Sequence, residues 1–464
     1  MSLSYLLVLG AVLALAGCTP PDVQAVWPEP RPLGKDLPVY QPPSQPPAAG
    51  SVTREVIEPT GILTLPQAQA LALLHNPKLA TFAWEVRAGE ARTLQAGLPP
   101  NPEAGIEVEN FAGSGELRGF DSAEITIHLS QLIELAGKRR KRTHVAALER
   151  DLTAWDYETT RVDVLTQVTQ AFVAVLSAQE NIRLQEELAR LAQQVLTTVG
   201  ERVKAGKVSP VEETRARVAL STSQIELERA QQALVSARHR LVATWGSTVP
   251  TFTRAEGQLD AMAALPPARQ LAERLAQNPD LARWVTEMAQ RQATLELEEA
   301  RRVPDPTIGG GFRYVRETDD HAFVMGLSLP LPVFDRNQGN RLEARYRLAK
   351  AEEEQRAATV QAHAALGEAY AALAAAYAAA TALKNDALPG AQSAFEATSE
   401  GYRQGKFGFL DVLDAQRTLF EVRGQYIEAL ATYHQAVADV ERLIGDRLQA
   451  VSSVPGLQHH GGKQ

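Results

Sequence analysis

The chain has 464 residues, enough to bury a large core, and its formal net charge of −8 leaves no broad basic surface to neutralise nucleic-acid phosphates. One cysteine and four methionines exclude a disulfide framework, a thiolate zinc site and a methionine copper relay. Only KRRKR at 138–142 forms a strongly basic cluster.

The chain opens with an apolar run, YLLVLGAVLALAGC at 5–18, as long as a signal-peptide core and too short to span a bilayer as a helix. It ends in Leu15-Ala16-Gly17-Cys18, which resembles a bacterial lipobox. The resemblance makes 1–17 a signal peptide and Cys18 the lipidated first residue of the mature chain. The alternative is an ordinary signal peptide with a coincidental cysteine. No Lys or Arg precedes the run, and Thr19 rather than Asp follows the cysteine, which by the same resemblance favours outer-membrane sorting. Residues 18–61 follow as an extended tether, with eleven prolines between 20 and 59, and order is expected from near Leu63.

Beyond the tether the chain reads as a tandem repeat, 62–250 and 251–446, before a flexible tail at 447–464. LLHNPKLATFAWE (73–85) matches RLAQNPDLARWVT (274–286), and GLPPNPEAGIEVE (97–109) matches RRVPDPTIGGGFR (301–313). The span 201–246 matches 400–445 without a gap. In each half a helix follows Asn-Pro and stops at Pro-x-Pro. Two alternating segments come next. Ile106 and Val108 alternate with Glu107 and Glu109, and Ile125, Ile127 and Leu129 with Thr126 and His128. In the second half Ile308, Phe312 and Tyr314 alternate with Gly309, Gly311 and Arg313, followed by Phe323, Met325, Leu327 and Leu329. Period-two patterning of this length predicts membrane-spanning strands with one apolar face.

Very long helices are expected after the strands. No proline interrupts 139–199, where Val164, Val168, Ala171, Val175, Ala178 and Ile182 step by four and three. Sixty residues of helix would reach roughly 90 Å. The next helix repeats Leu220, Leu227, Leu234 and Leu241 every seven residues, and also Val211, Val218 and Ile225. The second half does the same with Val412, Leu419, Tyr426, Tyr433 and Val440, which predicts coiled-coil packing. The Ala-rich run 357–382 reads as close helix packing rather than a membrane span, because alanine adds little insertion energy and Glu368 sits within it.

Four strands cannot close a barrel, and an open sheet edge in lipid leaves backbone groups unpaired at several kcal/mol each. Copies of the chain must therefore pool strands. Three give twelve; two give eight, a barrel filled by its own side chains.

The lipobox, the duplicated strand–strand–helix–helix halves and the GYxxGxxxxLDVLDA pattern at 401–415 together resemble TolC-like outer-membrane factors. The resemblance covers about 62–446. It implies a mainly α fold with a transmembrane β-barrel: a TolC-like trimer whose 12-stranded barrel, four strands per chain, is continued by a long α-helical coiled-coil tunnel. The implied function is the passive outer-membrane channel of a tripartite resistance-nodulation-division (RND) efflux pump. The implied partners are two further copies in a homotrimer, a periplasmic adaptor (membrane fusion protein), an inner-membrane RND pump and outer-membrane lipid. QLIELAGKR (131–139) and LPLPVFDRNQGN (329–340) resemble the strand-to-helix junctions of the CzcC- and CusC-like heavy-metal branch. Ala136 stands where a glycine is common in that motif, and Gly137 and Gly339 could instead simply permit a tight turn. A drug or organic-solute efflux channel, or a type I secretion channel, remains the alternative.

Other classes lack support. His75, His128, His144, His239, His321, His363 and His434 are scattered without metal-ligand spacing, and His459-His460 lies in a Gly-rich tail. No catalytic triad or phosphate loop is present, and GGGF at 309–312 lies in a strand pattern. No enzyme, cofactor or resident metal is expected. A structural periplasmic coiled-coil lipoprotein would not need the alternating segments. An adaptor would need a β-domain between its long helices, and none interrupts 139–246.

The resemblance also assigns roles to the two helical turns. Gly206, Val208 and Ser209, with Gly405, Phe407 and Gly408, match positions that meet the adaptor; Gly206 and Gly405 could alternatively be helix C-caps. Val208 and Phe407 are expected to be exposed. Asp411 and Asp414, one turn apart, match the periplasmic pore constriction, the alternative being a solvated acidic turn favoured by the helix dipole. Their first-half counterparts are Glu212 and Arg215. Tyr402 and Glu212 match residues that link neighbouring hairpins and hold the entrance shut, with Phe407 where an arginine assists in the family's type member.

Overall fold

A computed structural model describes residues 27–43 and 58–448. Cys18, with the lipobox, and the tail from 449 lie outside the described residues. The first half runs β1 (Ile62–Thr64), α1 (Leu65–His75), α2 (Pro77–Gly97), β2 (Glu103–Glu109), β3 (Glu124–Leu132), α3 (Lys138–Lys204) and α4 (Pro210–Ala243). The second runs β4 (Arg254–Glu256), α5 (Ala268–Arg274), α6 (Pro279–Ala282), α7 (Trp284–Ala300), β5 (Thr307–Val315), β6 (Asp320–Ser328), α8 (Gln338–Ala382), α9 (Leu388–Arg403) and α10 (Phe409–Ile444). The two compact units of the chain are not these halves. One gathers Trp84–Ala154 and Arg283–Arg356, the other Glu29–Ala83, Trp155–Ala282 and Ala357–Gln464.

In the first of these units both halves contribute to one antiparallel sheet in the order β2-β3-β5-β6. The register sets Ile106 opposite Ile127, Ile127 opposite Phe312, and Phe312 opposite Phe323. Partners across a sheet share a face, so the apolar residues fall together, and they are exposed: Ile106 by 73 %, Phe323 by 85 % and Met325 by 87 %. The opposite face is polar. Arg313 donates to Glu124 Oε2 (2.7 Å), Glu109 Oε2 (3.0 Å) and Thr126 Oγ1 (2.9 Å), so it ties three strands. His128 lies across its neighbours; a Cβ at Gly105 would stand 2.5 Å from its ring.

The strand-to-helix turns are left-handed at Ala136 (φ 55°) and Gly137 (φ 69°) in the first half, and at Asn337 (φ 57°) in the second. The alternative role of Gly339, to permit the second turn, does not apply: Gly339 lies inside α8, and Asn337 takes the left-handed conformation instead. Asn tolerates it because its short amide can bond locally: Asn337 Oδ1 accepts from Asn340 Nδ2 at 2.6 Å, and Asn337 Nδ2 donates to Glu298 Oε2 of a distant helix at 2.7 Å.

In the other unit, Leu63, Leu73, Leu79, Leu165, Phe172, Leu241 and Trp245 share one core. Asn76 and Asn278, from the two Asn-Pro motifs, are used identically. Each accepts backbone N–H bonds at the start of the following helix, at 2.8 Å for Lys78 and 2.7 Å for Asp280. Each also donates to a carbonyl near the end of its half's last helix, Thr244 at 2.7 Å and Leu443 at 2.9 Å.

The stretch expected to be a free tether is docked at 31–40, so order begins well before Leu63. The Arg161–Glu158 pair is almost fully buried, and Arg161 donates to the carbonyls of Leu33 (2.9 Å) and Arg31 (3.1 Å). Glu158 accepts from the Arg31 N–H at 2.7 Å, and Leu33 is itself buried. Two charges leave water only where such hydrogen bonds compensate them.

The heptads resolve unequally. In α10 Val412, Leu419, Tyr433 and Val440 are buried and Tyr426 half-buried, as expected. In α4 the buried seven-residue row is Ala216, Ser223, Ala230 and Ala237, whereas Val211, Val218 and Ile225 are 56 %, 61 % and 54 % exposed. Small side chains let the helices of one chain approach closely, and the larger β-branched row is turned away. Leu366, Leu373 and Ala376 of the Ala-rich stretch pack against Tyr433, Ala436, Val440 and Ile444. The helical stretch Gln338–Arg403 is long and apolar enough to cross a membrane by composition; Ala376 and Ala380 are buried, whereas Ala371, Ala372, Ala378 and Ala379 stand exposed, so packing within the chain covers only part of its alanine surface. A π-helical turn at Leu383–Ala387 precedes Pro389 and absorbs the hydrogen bond that proline cannot donate.

Candidate pore-entrance and docking site

The two helical turns have the same backbone. Gly206 (φ 70°) and Gly405 (φ 74°) are left-handed, 199 residues apart. Lys207 N–H returns to the Arg202 carbonyl at 2.9 Å, and Lys406 N–H to the Gly401 carbonyl at 2.8 Å. Both glycines are therefore helix C-caps, the 6→1 closure that a residue with a Cβ resists. A Cβ at either would meet nothing within 4 Å, so both turns are also open to a partner.

The downstream residues are engaged in caps. Ser209 Oγ accepts from the Val211 N–H at 3.3 Å, and the Gly408 N–H donates to Asp411 Oδ2 at 2.8 Å. Asp411 and Asp414 both stand exposed in the first turns of α10. Val208 is not exposed as expected: it is half-buried against Val199, Ala216 and Phe409, because the turn folds it back onto the hairpin. Phe407 is 49 % exposed, and its ring closes over Gly401, where any side chain would collide with it.

Tyr402 and Glu212 are not bonded to each other within the chain. The Tyr402 ring lies between Arg202 (4.4 Å from the guanidinium carbon) and Phe409 (6.0 Å between centroids). Its hydroxyl is buried without a hydrogen-bond partner among the described residues, and so is Glu212 Oε2. Unpaired buried polar atoms are costly. A groove of about 720 Å³ opens beside Tyr402, lined also by Val195, Arg202, Phe395 and Ser399. The sequence left Arg202 unnoticed. Its counterpart in the duplicated register is Gly401, and that mismatch within an otherwise gapless match was the available signal.

No group of three or more His, Cys, Asp or Glu able to hold a metal occurs among the described residues. The turns hold caps, an aromatic–guanidinium stack and exposed carboxylates. Such a set can recognise a partner and shape an ionic potential.

The profile of the family described as outer membrane efflux protein matches twice, at 69–247 and 271–446. The cobalt-zinc-cadmium resistance protein CzcC of Cupriavidus metallidurans is 38 % identical over 84 % of this chain and 91 % of its own length. The nickel-cobalt-cadmium resistance protein NccC of Alcaligenes xylosoxydans is 26 % identical over 66 % of this chain and 68 % of its own. Among solved structures, CusC superposes with a TM-score of 0.69 at 18 % identity, covering 88 % of this chain and 99 % of that one. The outer-membrane protein VceC of Vibrio cholerae does so with a TM-score of 0.66 at 16 % identity, over 83 % and 96 %.

Proposed function

Because this chain belongs to the outer membrane efflux protein family, we propose that three copies form the exit duct of a tripartite pump for divalent transition-metal cations. The observation that carries the reading is the four-stranded sheet with one exposed apolar face and two unpaired edges, β2 and β6. Such edges are not tolerated in hydrocarbon, and a three-copy, twelve-stranded barrel closes them. The exposed Val211, Val218 and Ile225 row of α4 gives each copy an apolar stripe for its neighbour in a coiled-coil tunnel.

Within that assembly 62–250 and 251–446 act as two structural repeats, and Cys18 carries the lipid anchor in the outer membrane. Asp411 and Asp414 ring the pore constriction, where six carboxylates around one axis favour cations. Tyr402 and Glu212 meet across hairpins as the closed-state latch, each supplying the partner that the other lacks among the described residues. Gly206, Val208, Ser209, Gly405, Phe407 and Gly408 form the surface for a periplasmic adaptor coupled to an inner-membrane RND pump. Energy and selection come from that pump. The metal class rests on the kinship with metal-resistance proteins and on the junction motifs.

The test is outer-membrane fractionation with gel migration before and after heating, combined with conductance in planar bilayers. A heat-modifiable oligomer that conducts cations is expected. A soluble monomer without conductance would refute the channel.

A further inference from the structure

We propose that the end of the sheet where β3 and β6 pass toward the long helices binds anionic phospholipid headgroups. This rests on the reading of the sheet's apolar face as lipid-facing. The alternation of β6 outlasts its pairing: Leu327 is followed at the same spacing by Leu329, Leu331 and Val333, with prolines between them. These side chains are 73 %, 48 %, 76 % and 59 % exposed, and Phe334 is 91 % exposed. Beyond the end of β3, Ile133 and Leu135 continue the same spacing with 40 % and 38 % exposed side chains.

Cations stand immediately beyond this apolar border. Arg139 and Arg140 follow the first junction and Arg336 the second, while Arg302 lies on the segment between them, and all four are exposed. Lys138 pairs with Asp305 at 2.8 Å and Asn337 bonds Glu298 at 2.7 Å, which fastens both junctions to 298–305. Glu134 is occupied by Arg142 (2.5 Å), Asp305 by Lys138 and Glu298 by Arg301 (2.6 Å), which leaves Asp335, bonded among the described residues only to the Asn337 N–H at 2.8 Å, as the exposed carboxylate beside Arg336. Arg139, Arg140 and Arg302 have no carboxylate partner among the described residues. Arg336 donates to the carbonyls of Pro332 (3.2 Å) and Val333 (3.5 Å). No acidic residue stands in the first turn of α3.

An unbalanced guanidinium collar bordering an exposed apolar face fits one chemistry. The acyl chains cover Leu331, Val333 and Phe334, and the phosphodiester meets the arginine forks, whose geometry matches two phosphate oxygens. A zwitterionic headgroup brings its own cation into the collar; an anionic one does not. Charge complementarity therefore selects phosphatidylglycerol-type lipids over phosphatidylethanolamine. Each cation near the surface contributes about fivefold, equivalent to about 1 kcal/mol.

The full-length protein, purified in non-ionic detergent with equimolar phosphatidylglycerol and phosphatidylethanolamine, is analysed by native mass spectrometry for retained lipid. The wild type should retain phosphatidylglycerol at least fivefold over phosphatidylethanolamine. Arg139→Gln/Arg140→Gln/Arg302→Gln/Arg336→Gln should bring the ratio near one, whereas the corresponding Lys variants should keep the preference. Excess inorganic phosphate should not abolish it. Equal retention by the wild type, a preference surviving in the Gln variant, or its abolition by inorganic phosphate would each overturn the proposal. Flotation with neutral phosphatidylcholine vesicles separates the two readings. If wild type and variant both float but show no lipid preference, only the headgroup inference fails; if neither floats, the lipid-facing sheet fails and the inference with it.

Discussion

Asn278 donates from Nδ2 to the carbonyl of Leu443 at 2.9 Å, so one buried amide joins the start of the second half's Asn-Pro helices to the end of α10. Asn76 and Thr244 repeat the bond in the first half at 2.7 Å. The glycine that ends each half, Gly246 (φ 78°) or Gly445 (φ 65°), lets the chain turn beside this bond. A Cβ at Gly246 would stand 3.0 Å from Pro77.

Asn278→Ala should therefore cost about 2–3 kcal/mol, through the lost cap and the Leu443 carbonyl left without its donor. Asn76→Ala should cost less, because Asn76 is only half-buried. Denaturant midpoints of the two variants check the order.

Ala136 holds φ at 55°, a conformation that a Cβ opposes by about 1–2 kcal/mol. Ala136→Gly should raise stability by up to about 1 kcal/mol, after the extra freedom of glycine in the unfolded chain is subtracted. Thermal melting in detergent measures it, and a lowered midpoint would show that the methyl group contributes packing instead.

Arg313 binds both Glu109 and Glu124 on the polar face of the sheet. Arg313→Met should leave these two carboxylates, paired opposite each other in the register, to repel. A loss of about 1–3 kcal/mol is expected, with partial recovery in Arg313→Met/Glu124→Gln. Melting midpoints of the single and double variants test the coupling.

Asp411 caps α10 through the Gly408 N–H, so alanine there would confuse charge with helix stability. Asp411→Asn/Asp414→Asn keeps an acceptor and removes both charges. The reversal potential across a salt gradient in planar bilayers should move toward that of a non-selective pore, with melting shifted by no more than about 0.5 kcal/mol. An unchanged reversal potential would exclude these residues from the constriction.

The Tyr402 hydroxyl and Glu212 Oε2 lack hydrogen-bond partners among the described residues. Tyr402→Phe and Glu212→Gln should each raise single-channel conductance, and the double variant should add little beyond either. That non-additivity is the signature of a shared bond. Additive effects would show that the two residues act separately.

Much of the architecture was legible in the sequence because it depends on short-range rules. Alternation fixed the two faces of β3 and β5, Asn-Pro marked helix starts, and the matched Gly206 and Gly405 gave two identical turns. What the tertiary structure alone decided concerns choices between equally periodic options. Val211, Val218 and Ile225 have the same spacing as Ala216, Ser223, Ala230 and Ala237, and only the approach distance of neighbouring helices buries the smaller row. Spacing likewise offered Gly339 for the second junction turn, but the chain turns at Asn337, where Glu298 from a distant helix supplies an acceptor. The proline-rich stretch looked free because its composition carries no periodicity. It docks because Arg161 and Glu158, more than a hundred residues away, present buried hydrogen-bonding groups to its backbone, and no local pattern encodes a contact of that range.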